Sequence, residues 1–329
     1  MDRIQDEFLL SVQNLSIGIR RAASQLSSVE DISFEIYPGE ILGIVGESGS
    51  GKSLTALSIA GLLGENKEVT GGAILFGSKE INLLQLPEKE FQELRGKEIS
   101  IIFQEPFSSL NPLMKAGRQI AETLELHGEK NRAGNEKKVI ELLKKLKLPE
   151  PGKLLDTYPH SLSGGMCQRV MIALAVICRP RLLIADEPTT ALDQSTQTEI
   201  ISLLKEINRD FGTSILFISH DLSLVRNFCS RVLVMYSGRI LEEGDTEEVF
   251  NNPAHEYTKS LLGSIPDRAK RGRPLTVIPG RIPSLEEGRP PGCPFHPRCR
   301  AAGPECKSEF PPAREISSNH RTHCVREPE

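Results

Sequence analysis

Gly46-Glu47-Ser48-Gly49-Ser50-Gly51-Lys52-Ser53 is the stretch whose reading decides the fold. It fits the phosphate-loop pattern G-x-x-x-x-G-K-[ST]. Upstream lies Ile41-Leu42-Gly43-Ile44-Val45, a short β-branched apolar run bounded by Pro38-Gly39, and downstream Leu54, Leu57 and Ile59 recur at helical spacing. A buried strand, a tight glycine turn and a helix opening near Lys52 are therefore predicted. That is the context the motif needs. Without Cβ atoms, Gly46, Gly49 and Gly51 let backbone N–H groups converge on phosphate oxygens at the positive end of a helix, with Ser48, Ser50 and Leu54 in the same cradle. Lys52 is expected to reach the β- and γ-phosphates, and the Ser53 hydroxyl to hold Mg²⁺.

Working outward, the chain of 329 residues with 38% apolar content can bury a full core and has room for two domains. A net charge of −4 gives no basic field of the kind a nucleic-acid binder carries. The longest apolar run, Val170 to Cys178, stops at Arg179-Pro180 and is too short to cross a bilayer. Met1 to Glu7 lack a charged-then-apolar secretory pattern, so a cytoplasmic location is expected, with membrane contact made through partners. Four of the seven cysteines fall in the last 37 residues. In a reducing compartment such clustering points to metal more than to disulfides.

Ahead of the glycine loop, Phe8 to Ile36 alternates apolar and polar residues and suits two or three antiparallel strands. A further strand is predicted at Thr70 to Phe76, a charged helix at Pro87 to Lys97, and a strand at Ile99 to Phe103 that puts Gln104 at its C-terminal end, where open α/β sheets place function. Asn111 to Pro159 turns helical, with Val139, Leu142, Leu143 and Leu146 at helix spacing, and reads as an insertion. Strand character returns at Leu182 to Ala185, Ile215 to Ile218 and Val232 to Met235. An amphipathic helix through Ile200, Leu203, Leu204 and Ile207 separates the first two. The alternation implies a largely parallel sheet covered on both faces, hence an α/β fold.

Leu182 to Ala185 carries Asp186 to a strand end, where a carboxylate can bind Mg²⁺, and Glu187 beside it could orient or deprotonate a water. Leu162-Ser163-Gly164-Gly165-Met166 before Gln168-Arg169 is a second glycine-bearing helix start, and thus a second phosphate cradle. One nucleotide has no obvious use for both cradles of one subunit. The chain resembles the nucleotide-binding subunits of ATP-binding-cassette transporters, in which two subunits sandwich ATP between the phosphate loop of one and the signature loop of the other. The match spans about residues 8 to 262, with the helical insertion at about 105 to 175 and the antiparallel strands as a subdomain.

The resemblance implies that Gln104 links the nucleotide site to the membrane subunit and contributes to the Mg²⁺ site with Ser53 and Asp186. It implies further that Ala191-Leu192-Asp193 is the loop crossing the dimer interface, that His220 is the switch histidine at the γ-phosphate, and that Glu187 is the general base. Ser163, Gly164 and Gly165 would complete the opposite subunit's site. Two departures stand out. No aromatic lies between Gln13 and Ser33 to stack on adenine, leaving Ile17, Ile19 or Arg20. Cys167 stands where a polar or basic residue is common, and is read as a tolerated helix-surface residue.

Near Ser264 the texture changes to Pro, Gly and Arg with little periodicity, so residues 263 to 329 read as a linker and small appended module. Cys293, Cys299, Cys306 and Cys324, separated by five, six and seventeen residues, sit among many prolines with almost no apolar run. Such a segment cannot build its own core, so a metal or cluster staple is expected: one [4Fe–4S] cluster, or one Zn²⁺. His296, His320 and His323 are possible substitute ligands but are read as surface residues. Gly280 to Leu285, Gly292-Cys293-Pro294-Phe295 and Pro297-Arg298-Cys299 resemble the C-terminal extension of oligopeptide and dipeptide importer ATPases, some of which carry an iron–sulfur cluster there.

The resemblance thus implies an ATPase that powers import of di- and oligopeptides from the cytoplasmic face of the membrane. Its partners would be two transmembrane permease subunits, a second ATP-binding subunit that is identical or a paralogue, and, indirectly, an extracellular peptide-binding protein; nucleic acid is not expected. The alternatives are a nickel or metal-chelate importer ATPase and, from another class, a soluble cassette ATPase acting on nucleic acid or ribosomes.

Overall fold

The computed structural model describes residues 8–21, 25–190, 192–265 and 277–326. Ala191, of the loop expected to cross a dimer interface, and residues 266–276, of the expected linker, lie outside them. The strands, in chain order, are β1 (Leu10–Arg20), β2 (Gln25–Ile36), β3 (Ile41–Val45), β4 (Lys67–Phe76), β5 (Ile81–Asn82), β6 (Ile99–Ile102), β7 (Leu182–Asp186), β8 (Ser214–Ile218), β9 (Arg231–Tyr236), β10 (Arg239–Asp245), β11 (Arg314–Ser317) and β12 (His320–Thr322). The chain divides into two compact units, one mainly Gln85–Leu216 with Tyr37–Glu40, the other Leu10–Ile36, Ile41–Leu84 and Phe217–Glu329.

In the second unit, β1, β2, β4 and β5 form an antiparallel sheet in the order β2-β1-β4-β5. The predicted hairpin is there, and its third strand arrives from beyond the glycine loop. Leu10 and Val12 face the core, then Leu15 and Ile17, so the inward set changes parity between them. A register shift at that point, with Asn14 at φ +49°, makes the change possible. One extra residue in one strand turns every later side chain to the other face. Gly72 lies opposite in β4 at φ +94°, where a Cβ would stand 2.4 Å from the Gln13 carbonyl oxygen. Only glycine leaves room for the bulge.

The same unit holds strands in the order β11-β12-β10-β9-β3. β3 runs parallel to β9, with Val45 opposite Val234. β9 turns into β10 through Ser237 and Gly238, both at positive φ, the geometry a two-residue hairpin requires. β12 then adds antiparallel to β10, and β11 to β12. This corrects the expectation of a coreless appended module. The tail borrows a core: its backbone completes a sheet edge, and Phe295 is buried against Tyr236 and Tyr257, with ring centroids 5.4 and 5.2 Å away.

In the first unit β6 pairs parallel with β7, Ile99 opposite Leu182. The predicted insertion is helical at Ala116–Leu126, Arg132–Lys145 and Pro151–Leu154, and buries Ile120, Leu124, Val139, Leu143 and Leu146. Helix Gln194–Phe211 buries Ile200, Leu203, Leu204 and Ile207 on one stripe and stops at Gly212, whose φ of +68° is the left-handed cap glycine accepts readily. Helix Gly164–Val176 is apolar nearly all round. Val170, Ile172, Ala173 and Val176 are fully buried in it, each large side chain worth roughly 1.5–3 kcal/mol.

Candidate functional site

In the second unit, β3 delivers the chain into the glycine loop, and helix Lys52–Ile59 leaves it. Gly51 caps that helix at φ +103° with no side-chain cap, so the helix start is presented to a ligand as backbone. The loop backbone is packed from beneath: a Cβ on Gly46, which sits at φ +151°, would lie 2.1 Å from the Met235 carbonyl oxygen. Lys52 is buried, and its Nζ donates to the carbonyls of Gly46 at 2.8 Å and Glu47 at 3.0 Å. The ammonium thus already points over the turn it would share with phosphates. Ser48, Gly49 and Ser53 are exposed, Leu54 is half-buried, and Ser50 is buried with its carbonyl accepting from Gly238 N.

His220, also in this unit, is exposed and follows β8. Its neighbours fix the turn. Ser219 Oγ accepts from Asp221 N, and the Asp221 carboxylate accepts from Ser223 N and Leu224 N to cap helix Leu222–Phe228. Of the three residues considered for adenine, Ile17 is 0% exposed in the core of β1 and is removed from contention. Ile19 is half-buried, and exposed Arg20 pairs with Glu68.

In the first unit, β7 ends at half-buried Asp186, and Glu187 follows in the left-handed region at φ +48°. Gln104, two residues beyond β6, and Thr190 both hydrogen-bond the Glu187 carboxylate. Ser163 caps helix Gly164–Val176, its Oγ accepting from Met166 N at 3.4 Å. Asp193 caps helix Gln194–Phe211 through Ser195 N and Thr196 N, and the hydroxyls of Ser195 and Thr196 also donate to it. These donors hold its carboxyl well below the usual carboxylate range. Gly165 lies over the same helix start, since a Cβ there would stand 3.0 Å from Thr196 Cγ2.

Cys167 corrects the sequence reading. It is 0% exposed rather than on the helix surface, with its thiol 3.5 Å from the Pro159 carbonyl. Burial pushes that thiol up, which makes it inert rather than reactive.

The four tail cysteines come together. Cys293, Cys299, Cys306 and Cys324 line one small cavity, with His255, His296 and His323 at its wall. Burial is the largest influence on the thiols, pushing Cys293 up to about 12 and raising Cys299 and Cys324. His255 Nδ1 accepts from Tyr257 N, so the proton sits on Nε2, 3.6 Å from Cys293 Sγ. Among the described residues no group of three or more His, Cys, Asp or Glu is arranged to hold a single metal ion. His320 is another correction: far from being a surface residue, it is 0% exposed, with Nε2 2.7 Å from the buried Glu242 carboxylate.

Three contacts gave no signal in the sequence. Arg298 forks onto the Glu47 carboxylate, Glu47 N donates to the Tyr257 hydroxyl at 2.9 Å, and Glu242 accepts from Ala254 N and His255 N. Glu47 occupies a free position of the loop pattern, and the other partners lie far away in sequence.

Comparison with known proteins agrees with this geometry. The family pattern for the ABC transporter matches residues 29–190, and that for the oligopeptide/dipeptide transporter C-terminal region matches residues 241–306. The chain is 45% identical to the oligopeptide transport ATP-binding protein OppD of Escherichia coli (strain K12), over 98% of this chain and 94% of that one. It is 44% identical to the dipeptide transport ATP-binding protein DppD of Bacillus subtilis (strain 168), over 97% and 94%. Among solved structures, the ATP-binding cassette MJ0796, in a dimeric post-hydrolysis state bound to ADP and Pi, superposes with a TM-score of 0.65 at 28% identity, covering 72% of this chain and 98% of that one. With both family patterns matched and relatives 44–45% identical over nearly the whole chain, the chain belongs to the ATP-binding-cassette transporter family as an ATP-binding subunit of the oligopeptide and dipeptide transport branch.

Proposed function

We propose that the chain hydrolyses ATP to power import of di- and oligopeptides through membrane permease partners, working from the cytoplasmic face. The observation that carries this reading is the conjunction, in one chain, of the phosphate loop with the oligopeptide/dipeptide transporter C-terminal region at residues 241–306. Among the described residues no helix is long and apolar enough to cross a membrane.

Lys52 would exchange its loop carbonyls for the β- and γ-phosphates, while the N–H groups from Ser48 to Leu54 bind the same oxygens. Ser53, Asp186 and Gln104 are the residues that would hold Mg²⁺, which when bound would supply charge neutralisation for the phosphates. The Glu187 carboxylate, oriented by Gln104 and Thr190, would accept the proton of the attacking water. Ser163, Gly164 and Gly165 would face the triphosphate held by a second ATP-binding subunit, and Asp193 would stand at the junction. His220 would contact the γ-phosphate. Catalysis in this scheme is positioning plus charge stabilisation.

Reconstitution in vesicles with permease subunits and an external peptide-binding protein tests the reading. ATP-dependent uptake of a labelled tripeptide is the expected result. Uptake of a nickel chelate in its place would reassign the substrate.

We infer that the cysteine cavity holds a [4Fe–4S] cluster. Four thiols facing one space, with His255 Nε2–H directed at the Cys293 sulfur, fit a sulfur-ligated cluster. Such a cluster would cross-link the tail, because four ligands drawn from separate turns would be joined at one point. Iron and acid-labile sulfide in stoichiometric amounts, with visible absorption, are expected in anaerobically purified protein and should be lost from the Cys306→Ser variant. Zinc in their place would reject the cluster.

A further inference from the structure

The phosphate loop and the cysteine-bearing tail meet at one residue, Glu47. Its amide N–H donates to the Tyr257 hydroxyl at 2.9 Å, and its carbonyl accepts from Lys52 Nζ at 3.0 Å. Its carboxylate takes both arms of the Arg298 guanidinium, at 2.7 and 3.1 Å. Arg298 comes from the tail, between Cys293 and Cys299. It is anchored in turn by its Nε to the Pro279 carbonyl at 2.8 Å and by Nη1 to the Tyr236 hydroxyl at 3.2 Å. Its side chain is 6% exposed against 28% for Glu47, so the pair is formed by a fixed arginine and a loop residue open to solvent on one side.

We propose that Arg298 is a positioning residue for nucleotide binding, holding and neutralising Glu47 so that the phosphate loop can receive a triphosphate. Two physical effects act together. A bidentate fork on the second residue of the loop fixes the backbone whose N–H groups form the cradle. A carboxylate in that loop is also a negative charge beside a polyanion, and the guanidinium cancels it. The tail therefore does more than complete a sheet edge: it supplies a side chain that sets the electrostatics of the loop 251 residues upstream. Since Phe295 packs on Tyr236 and Tyr257 three residues before Arg298, the two hydroxyls that touch Glu47 and Arg298 are held by the same segment.

The proposal rests on the loop binding ATP, and titration of the full-length wild-type chain with Mg-ATP checks that first. If the wild type binds no ATP, the reading of the loop itself is rejected. If it binds, Arg298→Ala is expected to raise both the dissociation constant and KM for ATP about tenfold with kcat changed less than about threefold. Combining it with Glu47→Gln should recover most of the affinity, because the stranded charge is gone. Arg298→Lys should fall between, keeping the charge without the fork. Should Arg298→Ala fail to fold, Glu47→Gln alone decides: with the loop's negative charge gone and the guanidinium still beside it, affinity should hold or tighten. Equal losses in Arg298→Ala and the double variant, an unchanged KM in Arg298→Ala, or a tenfold weakening in Glu47→Gln would each overturn it.

Discussion

Gln104 Nε2 donates a hydrogen bond to Glu187 Oε2 at 3.2 Å, and Thr190 Oγ1 donates to the same oxygen at 2.8 Å. Glu187 itself stands at φ +48°, a backbone conformation that costs a residue with a side chain roughly 1–3 kcal/mol. The two donors fix where the carboxylate points. An oriented carboxylate is what a base for an attacking water requires.

Replacing Glu187 with Gln keeps the size and the acceptor oxygen but removes the basic group. ATP hydrolysis should fall by about a hundredfold or more while ATP affinity is retained. Size-exclusion chromatography with Mg-ATP should then show a dimer that does not decay. Unaltered turnover would reject Glu187 as the base.

Asp193 caps helix Gln194–Phe211 by accepting from two backbone N–H groups and two hydroxyls. Its carboxyl is held below the ordinary value of 3.8, first by the Ser195 hydroxyl and then by Thr196. A depressed carboxyl contributes stability that is complete above pH 3.8 and fades as the pH falls below it. Asp193→Ala should lower the melting temperature at pH 7, and the difference from wild type should shrink on acidification below pH 3.8. A difference that stays constant across that range would show that the cap is not the source.

Much of this was legible in the residues. The β3, glycine loop and helix sequence is readable because a β-branched run, three glycines and a 3.6-residue repeat are each local, and Asp186, Gln104 and Ser163 inherit their places from equally local strand and helix ends. What escaped was set at long range. Cys167 sits before Gln168 and Arg169, which look like a wet helix face, yet both are buried, and Arg169 reaches the Leu146 carbonyl and Glu199. His320 lies in a three-residue strand with no apolar pattern, and only pairing with β10 puts it beside Glu242. The Asn14 bulge likewise breaks the alternation that a strand reading depends on.

Gly46 offers a test of the loop independent of its charges. At φ +151°, with the Met235 carbonyl 2.1 Å from where a Cβ would fall, Gly46→Ala has to displace either the loop or β9. A loss of about 2 kcal/mol or more is expected in denaturant unfolding, together with loss of ATP binding. The Gly39→Ala variant, also at positive φ but with open space around its Cβ position, should cost less and leave ATP binding intact. Equal effects at the two positions would mean that backbone conformation, and not the contact with Met235, is what restricts Gly46.

Glu242 is the buried acidic side chain on which the tail depends. Fully enclosed, it accepts from Ala254 N at 2.7 Å, from His255 N at 2.9 Å and from His320 Nε2 at 2.7 Å. It thereby joins β10 to β12 and to the start of helix Glu256–Gly263. Glu242→Ala would strand three donors away from water, and leaving each unpaired costs about 1–3 kcal/mol. A loss of roughly 3 kcal/mol or more is expected, with amide exchange rising first in the peptides that contain His320 to Thr322. His320→Ala should be milder, because Glu242 keeps two backbone donors. If the two variants prove equally stable, or if exchange rises uniformly through the chain, the carboxylate is not what fastens β12 to the sheet.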